Sequence, residues 1–462
     1  MEPITDNMPC TEDLELAAGV VQPGPEADIP GRQPLAIAYF WLVLFFVVYC
    51  ARPEDWVPGL GFIPLAKIAG GFCALSFIAS IPRLHRNLPL ETIYLALLVF
   101  QLWLTVPLSP VWRGGAFYTT LDFSKVLLIV LVMGVALTSM LRLRRLIFVQ
   151  TASVAAIALV SLVRRELLVG RLVGAVHGIY ENSNELALIL ILTLPFCIAF
   201  LLRTRSWWRK SLWAAAALLM LYGAMLSGSR GGLLALLVSG GVCLREFGIR
   251  GRRIAFVVGG GCVAIVLMLA ASNTVMDRFQ AMFSDDPTTE AGRSAQGSAL
   301  QREELFWKAL AVTAEHPLFG VGPGNFNSIS GNWHDQHNSY TQMSSEGGVP
   351  ALVLYVLLLG CAMGNLRRTN RQAPRDSEEA LFAMALRASL YGFIVGSFFS
   401  TSAYQMFPYI LLGYSSGLVA IVEAKYGTPA GEDQEEIYGE YDEPAAVSFA
   451  SEPNPWMESP AS

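Results

Sequence analysis

Charge is what this chain has least of. Only 15% of its 462 residues are Asp, Glu, Lys or Arg, against about 25% in an ordinary globular domain, too few to keep a surface of this length in water. The net charge of −5 resides mostly in two acidic terminal segments. There is thus no basic stripe to track a phosphate backbone, and no nucleic-acid partner is expected. The 7 cysteines, Cys10, Cys50, Cys73, Cys197, Cys243, Cys262 and Cys361, are dispersed without a CxxC pair. That spacing excludes a Cys-pair metal or redox centre and leaves them as small buried hydrophobes. No internal repeat of roughly 20–50 residues is present, which excludes a solenoid. No basic stretch precedes the first apolar run, so the segment up to about Asp28 does not read as a signal peptide.

What the chain does have is apolar length: 53% of it is hydrophobic, with a mean hydropathy of +0.47. A helix needs ~20 apolar residues to cross a ~30 Å hydrocarbon core. Twelve runs of about that length are expected to span, at 35–51, 62–81, 89–107, 122–141, 145–163, 184–202, 210–227, 231–247, 253–271, 348–366, 381–400 and 404–423. The expected fold is an all-α polytopic integral membrane protein with about 12 transmembrane helices and one large, partly helical outer loop. Residues 1–33 form an acidic N-terminal segment, 34–271 spans one to nine, 272–347 the loop, 348–424 spans ten to twelve, and 425–462 an acidic tail. Both acidic ends are expected to be disordered. Arg83, Arg86, Arg142, Arg144, Arg145, Arg203, Arg205, Arg209, Lys210, Arg245, Arg250, Arg252, Arg253, Arg367, Arg368, Arg371 and Arg375 fall in short loops on one side, which marks the cytoplasm. An even number of spans then puts both termini there and the long loop outside.

The outer loops break that charge rule. RRELLVGRLVGAVHGIYENSNELAL holds Arg164, Arg165, Arg171 and His177, followed by Glu181, Asn182 and Asn184. Arg164 and Arg165 either snorkel to lipid headgroups or meet an anionic substrate. Asn182 and Asn184 either cap the next helix or contact that substrate with Arg171. Arg230, in LSGSRGGLLAL, opens an apolar helix with no acidic residue adjoining it in sequence. A cation at an apolar boundary and at the wrong end of a helix dipole either snorkels to the interface or is compensated by an anionic diphosphate ligand. The free N–H groups of the helix start add to that capacity.

In the long loop, Ser298 and Gln301 form an S-x-x-Q capping box. It predicts an amphipathic helix over 299–315 with Leu305, Phe306, Ala309, Leu310 and Val312 on its buried face, and Arg302 either as a second candidate cation or as part of a solvated face with Glu303 and Glu304. A Gly-rich stretch, HPLFGVGPGNFNSISGNWHDQHNSYTQMSSEGGVP, then delivers His337, Asn338 and Glu346 to the mouth of the tenth span. Its GVGPGNF follows a helix and lacks a Lys-Ser or Lys-Thr ending, so it is no nucleotide cradle. His334, Asp335 and His337 crowd one loop without companion ligands at helical spacing, so no metal is expected. An unperturbed His, with pKa ~6.5, is largely neutral near pH 7 and able to accept a proton.

Arg230 with Leu234 four residues on, and His337 with Gly348 eleven residues on, stand in this order at the outer ends of helices. The pair resembles the signatures of the O-antigen ligase and O-antigen polymerase family of bacterial envelope glycosyltransferases. REELFWKAL followed by HPLFGVGPGNF resembles a family motif whose Arg helps hold phosphates, and Arg302 stands at that place. GIYENSNELA is similar to the family's polar helix start.

The resemblance implies inverting, metal-independent and cofactor-free glycosyl transfer at the periplasmic face of a bacterial inner membrane. The donor would be a glycan on undecaprenyl diphosphate, already an activated leaving group. The acceptor would be a hydroxyl of a growing glycan, of lipid A core or of a protein Ser or Thr. Arg230 and Arg302 would offset leaving-group charge and His337 would act as base. Asn338, Glu346, Asn182, Asn184 and Arg171 would contact substrate, with Tyr340 beside Asn338; Glu346 alternatively orients His337. VVYCARPEDWVPGLGFIPLAKIAG is similar to family members accompanying exopolysaccharide and sorting systems, which tilts the reading away from a standard lipopolysaccharide ligase. The competing class is a lipid-linked oligosaccharide flippase. Such a transporter would more typically show matched Gly- or Pro-broken spans in two halves, whereas the large outer loop here sits in one half. A silent assembly scaffold is the third reading, and intact Arg230 and His337 argue against it.

Overall fold

A computed structural model describes residues 35–79, 88–164, 167–168, 171–174, 176, 180–250, 259–260, 290–331 and 335–427. Its long helices, in chain order, are α1 Ala36–Ala51, α2 Leu65–Ile78, α3 Leu90–Leu108, α4 Arg113–Ala136, α5 Met140–Arg164, α6 Ser183–Arg203, α7 Trp207–Leu226, α8 Arg230–Cys243, α9 Glu290–Glu315, α10 Ser339–Gln372, α11 Glu378–Gly396 and α12 Met406–Tyr426. A π-helical turn, Leu244–Arg250, extends α8. Strand pairing among the described residues is limited to Leu167–Leu168 against Arg171–Leu172. An all-α polytopic protein is the outcome that lipid imposes, because a backbone without water must bond within its own segment.

Among the described residues eight helices are long and apolar enough to cross a membrane: α3, α4, α5, α6, α8 with its extension, α10, α11 and α12. They correspond to eight of the twelve expected runs. Helices α1 and α2 are apolar but only 16 and 14 residues long. Helix α7 is not among the eight, since it opens on Trp207, Trp208, Arg209 and Lys210. The run at 253–271 lies outside the described residues apart from Gly259 and Gly260, which are helical.

Enclosure sorts these helices. In α6 and α12, 78% and 83% of the apolar window is buried, against 44% in α3 and 39% in α8 and α10, so α6 and α12 form the axis and the others keep an outward face. Between helices in lipid there is no hydrophobic drive to associate, so close approach and internal hydrogen bonds must do it. Gly413 and Gly417 of α12 lie against Met133 and Leu137, and Gly392 and Gly396 of α11 against Ala235 on α8. Ser389 donates to the Leu192 carbonyl at 2.6 Å and Tyr414 to Gln150 Oε1 at 2.7 Å. Glu91, buried at the start of α3, accepts from Asn365 and from Ser415.

One end of the bundle is laced by ion pairs. Arg144 and Arg203 both meet Glu378, at 2.9 and 2.7 Å, Arg368 meets Glu423 at 2.8 Å, and Lys425 meets Glu379 at 2.9 Å. This is the end to which the expected cytoplasmic cations of the described residues belong. At the opposite end begin α6, α8, α10 and α12, together with α9.

Helix α9 starts at Glu290, earlier than the capping box suggested, so Ser298 and Gln301 lie inside it. Its inner face is Leu305, Ala309 and Val312, packed with Val321 and Phe326 in a small separate core. Leu310, expected inside, is 37% exposed. Helix α10 likewise begins before the expected span and is broken at Gly348, with φ 81° and ψ 173°. That conformation is essentially restricted to glycine. A Cβ at Gly348 would also run into the Leu318 carbonyl, because residues 317–318 cross directly over it. Gly348→Ala should therefore lower stability by at least ~1–3 kcal/mol from backbone strain alone, read as a lower melting temperature in detergent. An unchanged melting temperature would contradict this account of the break.

Candidate functional site

Helix starts supply the site. An α-helix leaves its first N–H groups unpaired and its N-terminus partly positive. Here α6, α8, α10 and α12 all begin at the same end of the bundle. Asn182 caps α6, its Oδ1 accepting from Asn184 N at 2.9 Å. Ser229 caps α8, accepting from Gly232 N at 3.1 Å. Asn338 caps α10, its Oδ1 taking Tyr340 N at 2.9 Å and Thr341 N at 3.2 Å.

Arg230 is the first residue of α8 and is half-buried. Gly231 lets this helix start press against Phe399, where any Cβ would collide. Arg302, half-buried on α9, lies near enough to Arg230 to feel its charge. Its Nε is buried without a hydrogen-bond partner. Burial first, and then the Arg230 charge, pull the Arg302 guanidinium below its usual range. Both effects disfavour the cation, and the attraction of an anion bound between the two groups would oppose both.

His337 is half-buried and adopts a left-handed backbone with φ 52°. Its N–H donates to Thr401 Oγ1 at 3.1 Å. Thr401 follows Phe399 by two residues, so the single segment 399–401 touches both the Arg230 helix and the His337 turn.

The Gly-rich stretch is a strap laid along α10. Val321 N bonds Ser345 O at 2.9 Å, Gly322 N bonds Glu346 O at 3.0 Å, and Val349 N bonds Pro317 O at 2.8 Å. Gln101 of α3 pins it from the other side, donating to Leu318 O at 2.8 Å and Gly347 O at 3.1 Å. Glu346 is 1% exposed, and its carboxylate accepts from Gly324 N at 2.9 Å and Phe326 N at 3.3 Å. Those bonds give the Glu346 side chain a structural task in the strap.

Arg171 and Asn184 are brought together, Nη2 donating to Asn184 Oδ1 at 2.7 Å. Arg171 Nε also donates to Ser227 O at 2.8 Å, three residues before Arg230. Asp335 accepts from Asn327 at 2.6 Å. Among the described residues no group of three or more His, Cys, Asp or Glu could hold a metal. His334, Arg165 and His177 lie outside the described residues, and Arg164 is exposed at the end of α5. Sequence reasoning missed the segment 400–405 and Gln101. The polar SFFSTSAYQ between two apolar runs was the available signal.

Because Asn338 Oδ1 is used as a cap, Asn338→Asp should keep the wild-type melting temperature, and Asn338→Ala should cost roughly 1 kcal/mol. Equal losses in the two variants would show that the amide nitrogen is what matters.

No curated protein matches the chain. Residues 215–356 match a family model described as O-Antigen ligase. The matched stretch contains Arg230, Arg302, His337, Asn338 and Glu346, and excludes Arg171, Asn182, Asn184 and Thr401. This match, joined to the membrane-spanning helices, supports an assignment to the O-antigen ligase and polymerase family.

Proposed function

We propose that this protein transfers a glycan from a lipid-linked, undecaprenyl-diphosphate-type donor to a hydroxyl acceptor, with inversion, at the periplasmic face of a bacterial inner membrane. The observation that carries this reading is Arg302: a guanidinium with a buried, unpartnered Nε beside a second guanidinium, Arg230. A diphosphate supplies what Arg302 Nε lacks, through charge-assisted hydrogen bonds in a region of low dielectric. A lipid-linked diphosphate reaches this depth because its chain stays in the bilayer.

The chemistry then needs one more group. As the anomeric C–O bond to the diphosphate breaks, negative charge grows on the leaving phosphate, and Arg230 and Arg302 stabilise it. His337 accepts the proton of the acceptor hydroxyl while that oxygen bonds the anomeric carbon from the opposite face. The helix starts at Arg230 and Ser339 add N–H dipoles of the favourable sign. Since the diphosphate leaves without further activation, the reaction calls for no nucleotide. A growing glycan, lipid A core and a protein Ser or Thr all present the hydroxyl this step requires.

The test uses purified protein in liposomes with a lipid-diphosphate glycan, acceptor and chelator. Wild type should form product. Arg302→Gln should weaken donor binding by roughly 10–150-fold, the equivalent of ~1.5–3 kcal/mol for a hydrogen bond to a charged group. His337→Ala should bind donor normally and lose about 10²–10⁴-fold in kcat. Donor translocation without product from any of the acceptor classes would instead make the protein a flippase.

A further inference from the structure

We propose that Thr401 is the positioning residue that sets the His337 imidazole for proton transfer. The proposal rests on the reading of His337 as the base. Among the described residues only Arg52 and His337 have positive φ without being glycine. An L-residue does not settle there without something to hold it. After His337 the backbone is fixed by the Asn338 cap on Tyr340 N and Thr341 N. Before it, Gln336 Nε2 donates to Ser345 Oγ at 3.1 Å. At His337 itself the backbone N–H goes to Thr401 Oγ1.

Thr401 is in turn held by the helix that His337 introduces. Ser339 Oγ donates to Ser400 O at 2.7 Å and accepts from Ser402 N at 3.0 Å, so both neighbours of Thr401 are clamped to one side chain. Ala403 N adds a bond to Gln342 Oε1 at 3.3 Å. The loop between α11 and α12 and the turn before α10 are therefore built as one unit. Its geometry fixes the direction in which the imidazole leaves the backbone. Thr401 lies outside the matched stretch 215–356, and neither signature of the sequence includes it. A positioning role follows from the contact: Thr401 acts on the reaction through the backbone of His337.

The experiment compares Thr401→Val, which keeps the shape and removes the acceptor, with Thr401→Ser, which keeps the hydroxyl. Both are assayed for transfer in liposomes and for melting temperature. Thr401→Val should lower kcat by on the order of 10²-fold, as expected for a misplaced catalytic group, with the donor KM unchanged. Thr401→Ser should restore most of the rate. In a His337→Ala background Thr401→Val should have no further effect on the residual rate. Wild-type kcat in Thr401→Val, or a loss in Thr401→Ser equal to that in Thr401→Val, overturns the proposal. If His337→Ala is itself fully active, the base reading fails and the positioning proposal falls with it. If His337→Ala is inactive and Thr401→Val is normal, only the positioning proposal fails.

Discussion

Two like charges, Arg230 and Arg302, near enough to act on each other are the constraint on which this end of the bundle is built. Arg230 and Arg302 repel, and burial adds to the cost of keeping Arg302 charged. Such an arrangement persists only when the surrounding structure over-determines it. Arg230 is fixed by the start of α8, by Phe399 against Gly231, and by Arg171 holding the Ser227 carbonyl just upstream. Arg302 is fixed by α9, whose inner face packs on Val321 and Phe326 of the strap. The strap is tied to α10 by backbone bonds and by the Glu346 carboxylate. The described residues 290–331 and 335–347 thus form a mount for one cation.

The same mount explains Gly231 and the signature glycine Gly348. Gly231 follows Arg230 so that α8 can abut Phe399, and Gly348 follows His337 by eleven residues so that Leu318 can cross the helix. His337 and Gly348 mark the two ends of the first part of α10, which carries the imidazole at one end and receives the strap along its length. Their spacing is the length of a helical segment. In the proposed reaction this segment divides the labour: the cations stabilise the leaving group and the imidazole serves the incoming hydroxyl.

Much of the fold was legible in the sequence, because lipid turns every spanning helix into an uninterrupted apolar run. The less apolar opening of α7 follows from Arg209 and Lys210, and the shortness of α1 and α2 from the left-handed Arg52 and Pro53 after α1 and Pro64 before α2, which hydropathy runs absorb too readily. The start of α9 was misread because a capping box can also occur inside a helix. At the site, Arg230 and His337 were legible from residue type and spacing. Arg302 became more than a charge on an amphipathic helix only when α9 was seen to bring it near Arg230. Asn338 and Glu346 were singled out as substrate contacts, whereas in the structure their oxygens bond backbone N–H groups; a side chain's identity does not reveal which partner takes its lone pairs. Thr401 was invisible, since its bond spans 64 residues.

The pairing of Arg230 with Arg302 is tested most directly by an experimental structure of the protein with a polyprenyl diphosphate bound. The account predicts phosphate oxygens within hydrogen-bonding distance of both guanidinium groups, with Arg302 Nε now paired, and the His337 imidazole on the far side of the anomeric position. A diphosphate seated elsewhere, with Arg302 Nε still unpartnered, would contradict it.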